Sequence, residues 1–401
     1  MNNFTYYTPT KVVFGKDSEL QTGNLLHEYQ ATKVLIHYGS ESARKSGLLT
    51  RIENILTESG IPYITLGGVK PNPRLSLIYE GIKLCKKEGV DFILAIGGGS
   101  VIDSAKGIGY GVANDGDVWD FYSKKRSPMA CLSIGAILTI AAAGSEMSNS
   151  SVVTNEDGWL KRGCKSDFAR CKFAIMNPEL TYTLPEYQTE SGCVDILMHT
   201  MERYFNQADN MTLTDGISEA LMRTVMKCAK TLKKDPANYD ARAEVMWASS
   251  LSHNGLTGCG TDGGDWAAHQ LEHELGGMFD VAHGAGLSAI WGSWARYVYK
   301  ECPLRFAQFA VKVLKIASSS KDLSTLPTEE IEILALAGIK SMEKFYRAIG
   351  MPTSLSELGI EVSDEQIEKL AEKCSFGQTR TIGIVKPLKK SDMLAIYKAA
   401  R

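Results

Sequence analysis

The sequence is short of the features that mark several classes of protein. Formal net charge is −2 over 401 residues, so no basic surface for nucleic acid or an anionic membrane is expected. The nine cysteines are scattered, odd in number and form no C-x-x-C pair, which argues against a disulfide framework and a thiolate zinc site. The longest uncharged run, residues 127–145, contains Pro128, Ser133, Thr139 and two glycines. Such a run is a poor membrane span and a better buried strand that enters a loop.

The first residues, MNNFTYYTPTKVVFG, lack a charged segment followed by an apolar one, so no signal peptide is predicted. Unpaired thiols and no leader favour a reducing cytoplasm. Apolar content of 44% with 22% charged residues is typical of a globular protein. We therefore expect two domains, because the chain is too long for one small core, and a small molecule as the partner.

The chain has two halves of different texture. From residue 11 to about 184, short apolar runs alternate with amphipathic segments such as those at 42–59 and 75–87. The strand candidates are KVVFG, KVLIHY, PYITLG, DFILAIGGG, CLSIGAIL and KFAIMN. This alternation predicts a doubly wound, mostly parallel, Rossmann-like α/β domain over 1–184. Long helical periodicity follows, and it predicts an all-helical domain over 185–401.

A glycine loop lies between an apolar run and a helical segment. It consists of Gly97, Gly98, Gly99 and Ser100. A buried strand, a glycine turn and a helix N-terminus bring bare backbone N–H groups to one point, where a pyrophosphate fits. Ser100 and Asp103 are candidates to cap the first turn of the helix. The loop is neither G-x-G-x-x-G nor a Walker loop, so a plain strand-to-helix turn is the alternative.

Two groups of residues suggest a metal site. Asp195 and His199 are four apart in an apolar helical stretch, so their side chains project from one helix face. A hydrogen-bonded core pair is the alternative for these two residues. The stretch AAHQLEHELGGMFDVAHG supplies three further histidines, and Gly276 and Gly277 are expected to end its helix.

These histidines allow two interpretations. In the first, His269-x-x-Glu272-His273 is the H-x-x-E-H motif of a zinc peptidase, with two histidine ligands and a catalytic glutamate. In the second, His269 and His283 are the ligands and His273 is not. One carboxylate with three imidazoles suits Zn²⁺ or Fe²⁺. The glycine loop counts against the peptidase, which has no use for a dinucleotide.

A family resemblance covers nearly the whole chain. The motifs are FTYYTPTKVVFGK, PNP at 71–73, AIGGGSVIDSAKGI, GSE at 144–146, KFAIMNPELTYTLP, GCVDILMHTMERYF and DVAHGAGLS. Through them the chain resembles the iron-containing (group III, metal-dependent) alcohol dehydrogenases, in particular their NADPH-using, butanol-dehydrogenase-like branch. The resemblance implies the dehydroquinate-synthase-like architecture, a homodimer, NADP(H) and one divalent ion, Fe²⁺ or Zn²⁺.

The resemblance also assigns roles to individual residues. The implied metal ligands are Asp195, His199, His269 and His283. The implied cofactor residues are Gly97, Gly98, Gly99, Ser100, Asp103, Asn72 and Thr139. Ala143 stands where many members of the family have a second threonine. His273 matches the histidine near the nicotinamide that binds no metal.

Cofactor choice is expected to depend on the end of the second strand, His37-Tyr-Gly39-Ser40-Glu41-Ser42. An NAD site usually places an acidic side chain there, which repels a 2′-phosphate. Gly39 and Ser40 leave room for the phosphate, Ser42 resembles the serine of the NADPH branch, and Lys161 resembles its phosphate-facing lysine. An inward turn of Glu41 would instead favour NAD(H).

The resulting hypothesis is reversible hydride transfer between NADPH and a small aldehyde, which gives a primary alcohol. His273 is a candidate proton relay, with a structural hydrogen bond as the alternative. The rival functions are a glycerol-dehydrogenase-like polyol oxidoreductase, the H-x-x-E-H metallopeptidase and a nucleotide-binding protein without catalysis.

Overall fold

A computed structural model describes residues 1–39, 42–208 and 211–401. Within it the chain divides into two compact units. One comprises Tyr7–Pro185 and Ala237–Asn254, and we call it the α/β unit. The other, the helical unit, comprises Met1–Tyr6, Glu186–Pro236 and Gly255–Arg401.

The α/β unit contains eight strands in the described residues. They are β1 Lys11–Phe14, β2 Val34–Tyr38, β3 Tyr63–Leu66, β4 Phe92–Gly97, β5 Ser133–Leu138, β6 Ser150–Asn155, β7 Leu160–Lys165 and β8 Phe173–Met176. Six of them form one sheet in the order β1-β8-β5-β4-β2-β3, and every pair in it is parallel. All six apolar runs selected from the sequence are strands of this sheet, which confirms the predicted parallel architecture.

Most α-helices of the α/β unit lie between these strands, and one follows them later in the chain. They are α1 Thr22–Glu28, α2 Ser42–Lys45, α3 Leu48–Glu58, α4 Leu75–Glu88, α5 Gly99–Ala113, α6 Trp119–Tyr122 and, later in the chain, α9 Tyr239–His253. β2 and β4 are buried along their whole lengths, as expected for central strands covered on both faces. The carboxyl end of β4 leads into the glycine loop, so the sheet sets the position of that loop.

The helical unit carries the other helices. They are α7 Glu186–Tyr204, α8 Thr212–Leu232, α10 Ala267–Phe279, α11 His283–Val298, α12 Pro303–Lys312, α13 Thr328–Ala348, α14 Asp364–Cys374 and α15 Lys390–Ala399. Helix α11 packs against α7 and α10, and these three helices carry the candidate metal ligands. No helix in the described residues is both long and apolar enough to cross a membrane.

Three details differ from the sequence-based expectation. Helix α9 lies within the stretch predicted as helical domain, but it packs on the α/β unit. The contact is intimate, because a Cβ on Gly144 would lie 2.4 Å from the backbone oxygen of Ser249 and Ser250 donates to Glu146 at 2.5 Å. Periodicity predicts a helix but not the core that the helix joins. At the other end, Met1–Tyr6 belongs to the helical unit.

The second difference is the end of α10, and the prediction there was wrong. Gly276 and Gly277 do not end the helix, which continues to Phe279. It stops at Asp280, whose φ of 54° is left-handed and whose N–H bonds to the Gly276 carbonyl oxygen. Glycine in a helix costs about 1 kcal/mol, and burial of both glycines offsets so small a cost.

The third difference is the antiparallel hairpin of β6 and β7, in a region where the sequence predicted no strand. Ser151, Val153 and Thr154 of β6 are buried while its other residues are partly exposed, so the strand is covered mainly on one face. The hairpin carries Lys161.

Candidate active site

Asp195 and His199 lie one turn apart on α7, and both are buried, with 3% and 5% of their surface exposed. Nδ1 of His199 is 3.0 Å from the backbone oxygen of Asp195. Asp195 Oδ1 lies 3.1 Å from the same nitrogen but makes no hydrogen bond in the described structure. The two residues therefore do not satisfy each other fully, because one buried carboxylate oxygen of Asp195 remains available to bind another group.

His269 on α10 and His283 at the start of α11 converge on this oxygen. Nε2 of His269 is 4.0 Å from Asp195 Oδ1, and Nε2 of His283 is 3.8 Å from it. The His269 ring centroid lies 4.6 Å from that of His199 and 5.3 Å from that of His283. Asp195, His199 and His269 each offer a ligand atom, and these atoms lie within 4.8 Å of one another. Three helices thus bring together all four residues that the resemblance implied.

Each of the three imidazoles has an oxygen acceptor at its Nδ1. For His199 it is the Asp195 backbone oxygen, as above. Nδ1 of His269 lies 2.8 Å from Glu202 Oε1, and Nδ1 of His283 is hydrogen-bonded to Glu272 Oε2. Because a carbonyl or a carboxylate can only accept, the proton of each neutral ring is on Nδ1. The lone pair is then on Nε2, as metal ligation through that atom requires.

The donor set fits a divalent ion. Asp195 Oδ1 and His269 Nε2 are both buried and have no hydrogen-bond partner in the part of the chain that the structure describes. Such orphaned polar atoms are costly unless something satisfies them. Burial, followed by the neighbouring His199 and His283, holds the pKa of His269 well below its usual value, which favours the neutral, ligating form. A carboxylate with imidazoles and no thiolate suits Zn²⁺ or Fe²⁺.

His273 lies beside this group and, with Glu272 and His283, forms a second set whose possible ligand atoms lie within 4.8 Å of one another. Its ring centroid is 5.8 Å from that of His283, and its side chain is partly exposed. The peptidase interpretation needs Glu272 as a base near a bound water, but Glu272 is fully buried and bonded to His283. The same interpretation gives no role to Asp195 and His199. The geometry therefore favours the interpretation with His269 and His283.

Glu202, Glu272 and Trp266 contact the histidines, and the sequence analysis gave the two glutamates no such role. Trp266 has a φ of 61°, and its ring lies 5.2 Å from His269 and 5.9 Å from His199, centroid to centroid. The guanidinium of Arg203 stacks 4.6 Å from the same ring. Glu202 and Glu272 stand in apolar stretches of the sequence, and a charged residue in such a stretch needs a partner when it is buried. That position was the signal from which a contact for each glutamate could be predicted.

The glycine loop is formed in the α/β unit as predicted, at the junction of β4 and α5. Gly97 ends the strand, Gly98 is the N-cap and Gly99 begins the helix. The segment after β5 packs directly on it. A Cβ on Gly98 would lie 1.9 Å from Ile140 Cγ2, and one on Gly99 would lie 3.0 Å from Ala143 Cβ. The loop thus has no room for side chains, and Ala143 fills the space against Gly99.

Thr139 is held at this loop by its backbone, since its N–H donates to the Gly97 carbonyl oxygen at 3.1 Å. Ser100 lies in the first turn of α5 and is partly exposed. The Asp103 carboxylate accepts hydrogen bonds from Ser145 Oγ at 2.6 Å and from the N–H of Val152 at 2.9 Å. These contacts direct Asp103 toward the 145–152 segment, where the sequence had suggested a cap for the helix.

Lys106, three residues after Asp103, is fully buried on the same helix. Its ammonium donates to the backbone oxygens of Ser145, Ser148 and Ser150 and to Ser145 Oγ, at 2.7–3.0 Å. Burial lowers its pKa, and the four acceptors satisfy the charge in place of water. Asp103 and Lys106 together tie the GSE turn and β6 to the helix that starts at the glycine loop.

Asn72 and Lys161 are linked through β6. Asn72 is 6% exposed, with a left-handed φ of 54°. The next residue, Pro73, accepts the N–H of Thr154 at 2.8 Å, and Thr154 pairs with Lys161 across the hairpin. Lys161 is 4% exposed, so it is not a solvated surface lysine.

The remaining cofactor candidates follow β2. Gly39 comes directly after the strand, and its carbonyl oxygen accepts the N–H of Gly68 at 2.8 Å. Ser42 is exposed and begins α2. Ser40 and Glu41 lie outside the described residues.

Comparison with known proteins gives the same family for the N-terminal and C-terminal parts of the chain. The iron-containing alcohol dehydrogenase model matches residues 9–178, and the Fe-containing alcohol dehydrogenase C-terminal model matches 189–401. A probable NADH-dependent butanol dehydrogenase 1 from Bacillus subtilis is 38% identical over 400 residues, 100% of both chains. The NADPH-dependent aldehyde reductase YqhD from Escherichia coli is 32% identical, again over 100% of both chains.

Among solved structures, NADH-dependent butanol dehydrogenase A from Thermotoga maritima superposes with a TM-score of 0.93 at 34% identity. The match covers 100% of this chain and 99% of that one. The predicted α/β-plus-helical architecture and the predicted resemblance are therefore both confirmed, and the chain belongs to the iron-containing alcohol dehydrogenase family.

Proposed function

We propose that the protein interconverts small aldehydes and primary alcohols by hydride transfer with a nicotinamide cofactor. Membership of the family makes it a metal-dependent, NAD(P)-dependent alcohol dehydrogenase or aldehyde reductase. Asp195, His199 and His269 form its Asp-His-His site for a divalent ion. The observation that carries the proposal is the buried, unsatisfied pair of Asp195 Oδ1 and His269 Nε2. The finer assignments are His283 as fourth ligand, butanol-type aldehydes as substrates and His273 as a catalytic residue.

The residues divide the work of the reaction. When bound, the divalent ion supplies Lewis-acid stabilisation of negative charge on the carbonyl oxygen, and the nicotinamide supplies the hydride. Asp195 and the three imidazoles hold the ion. Glu202 holds the His269 imidazole in its ligating tautomer. In the α/β unit, the N–H groups at Gly97–Gly99 and the N-terminus of α5 bind the pyrophosphate.

His273 is the proposed proton relay. It lies one turn after His269 on α10, and its ring is 5.8 Å from His283. Partial exposure lets the imidazole exchange protons with water, and an imidazole changes charge near neutral pH. We propose that His273 transfers a proton to the product oxygen during aldehyde reduction.

We propose NADPH as the preferred cofactor, with NADH as the alternative. Support comes from Lys161, a buried cation on β7, and from Gly39, which leaves the end of β2 without a side chain. The names of the Bacillus subtilis and Thermotoga maritima proteins, both NADH-dependent, support the opposite preference. The cofactor preference is measured as the ratio of kcat/KM for NADPH to kcat/KM for NADH. Replacing Lys161 with Met should lower that ratio by about tenfold or more, because the lysine contributes a charge-assisted contact to the 2′-phosphate.

The proposed activity is tested by following NADPH and NADH absorbance with butanal, with glycerol and NAD(P)⁺ in a parallel arm. The protein is assayed as purified, after chelation, and after addition of Fe²⁺ or Zn²⁺. Turnover of butanal that disappears on chelation and returns with metal is expected. Absence of turnover in every metal form contradicts the proposal, and preferential oxidation of glycerol would favour the polyol oxidoreductase.

A homodimer and a cytoplasmic location stay predictions. The nine cysteines are free thiols, in keeping with a reducing compartment. Sedimentation equilibrium of the purified protein measures the oligomeric state directly.

A further inference from the structure

Glu272 is a fully buried carboxylate that no part of the proposed chemistry requires as a base or ligand. It lies on α10, three residues after His269, and its Oε2 accepts the Nδ1–H of His283 on the next helix. A buried charge of this kind is costly without a specific partner. His283 supplies such a partner, because its Nδ1–H donates to the Glu272 carboxylate.

The chain makes room for this contact with a glycine. A Cβ on Gly286 would lie 2.9 Å from Glu272 Cγ and 3.0 Å from its Oε1, so alanine there would displace the carboxylate. Gly284 serves a different purpose, since a Cβ on it would lie 1.9 Å from the backbone oxygen of Ser191 on α7. The two glycines of His283-Gly-Ala-Gly286 thus bring α11 against α7 and seat Glu272.

His283 needs such support more than the other ligands. Its side chain is 25% exposed, against 4–6% for His199, His269 and Asp195. It is also the first residue of α11. The other two imidazoles are restrained by burial as well as by hydrogen bonds, whereas the more exposed His283 ring is held by its hydrogen bond to Glu272.

We propose that Glu272, seated by Gly286, is a positioning residue that fixes the tautomer and orientation of His283 and raises the electron donation of its Nε2. This inference rests on the proposed assignment of His283 as a ligand. Partners of this type are known to change metal affinity by about 10–100-fold. The same contact accounts for the peptidase-like string H-x-x-E-H, because its glutamate accepts a hydrogen bond from His283, ten residues beyond the motif.

The test is the affinity of the metal-free protein for Zn²⁺ and Co²⁺, measured by competition with a chromophoric chelator. Glu272→Gln keeps the shape of the side chain but removes its charge, and it should weaken binding by about tenfold. Glu272→Ala and Gly286→Ala should weaken it by up to about 100-fold. The visible absorption spectrum of bound Co²⁺ should shift in all three variants, because the field of one ligand changes.

Glu274→Gln is the matched control. Glu274 is equally buried on α10, and its Oε2 lies 4.0 Å from Lys373. Its replacement should leave the Co²⁺ spectrum unchanged and the affinity within about twofold. If Glu272→Gln and Gly286→Ala bind both ions with wild-type affinity and spectrum, the inference is wrong. If the wild-type protein binds no ion, the proposed function itself fails, so the two failures are distinct.

Discussion

A single oxygen of Glu202 accepts two hydrogen bonds from His269, one from the backbone N–H at 3.0 Å and one from Nδ1 at 2.8 Å. Glu202 lies on α7, one turn after His199, so one carboxylate binds both the main chain and the ring of a residue on another helix. The contact fixes where α10 begins relative to α7 and, with it, the direction of Nε2.

Replacing Glu202 with Gln should therefore weaken metal binding by about 10–100-fold. The amide keeps one acceptor but loses the charge, and it can place an N–H against Nδ1. Metal content by mass spectrometry after dialysis against a weak chelator measures the effect. Glu190→Gln is the control, because Glu190 is a buried glutamate of the same helix that pairs with Lys233. Equal metal retention in the two variants would remove the proposed role of Glu202.

Replacing Gly98 with Ala should damage the cofactor loop. Its φ of −98° suits any residue, so the obstacle is the 1.9 Å distance between the new Cβ and Ile140 Cγ2. Overpacking of this kind costs about 1–3 kcal/mol, and NADPH binding should weaken by about tenfold or more as the loop shifts. Urea unfolding and titration of NADPH fluorescence measure the two effects.

Gly216→Ala is the control for this substitution. It is the fifth residue of α8, with nothing within 4 Å of its Cβ position, and alanine there should stabilise the protein by about 0.4–1 kcal/mol. An unchanged stability and cofactor affinity in Gly98→Ala would show that the segment after β5 does not constrain the loop.

His37 should make the stability of the protein depend on pH. It is fully buried, with Nδ1 2.8 Å from the Leu66 backbone oxygen and Nε2 2.9 Å from Ser104 Oγ. Burial lowers its pKa from 6.5 to about 4. Below pH 6.5 the unfolded chain binds a proton that the folded chain does not, so stability is lost as the pH falls from about 6.5 toward 4.

The loss attributable to His37 should approach about 3 kcal/mol at pH 4. The free energy of unfolding of the wild type and of His37→Gln is compared at several pH values. The difference between the two proteins should be constant above pH 7 and should change in favour of the variant below pH 6. A difference that does not vary with pH would show that His37 is protonated as readily in the folded protein as in the unfolded one.

The sequence predicted the parts of the fold that depend on local pattern. The six apolar, β-branched runs became the parallel sheet, because buried central strands need apolar side chains on both faces. The hairpin around Lys161 was not predicted because its two strands are mostly polar and their apolar residues do not alternate, with Val152 next to Val153. Gly276 and Gly277 do not end α10, since tertiary packing outweighs a propensity cost of about 1 kcal/mol each.

Only part of the candidate site could be predicted from the sequence. Asp195 and His199 share a helix face by spacing alone, and the family motifs implied His269 and His283. The roles of Glu202 and Glu272 depend on contacts between different helices, which periodicity does not encode. Asp103 was expected at the pyrophosphate, but its hydrogen bonds to Ser145 and Val152 make it a support for the GSE turn as well.

The most direct test is the metal content of four variants, each with one histidine replaced by alanine. The metal-free protein is reloaded with one equivalent of Zn²⁺ per chain and passed over a desalting column before the bound metal is measured. His199→Ala, His269→Ala and His283→Ala should retain far less than one ion, while His273→Ala should retain about one. Loss of the ion in His273→Ala with retention in His283→Ala would contradict the account and restore the H-x-x-E-H assignment.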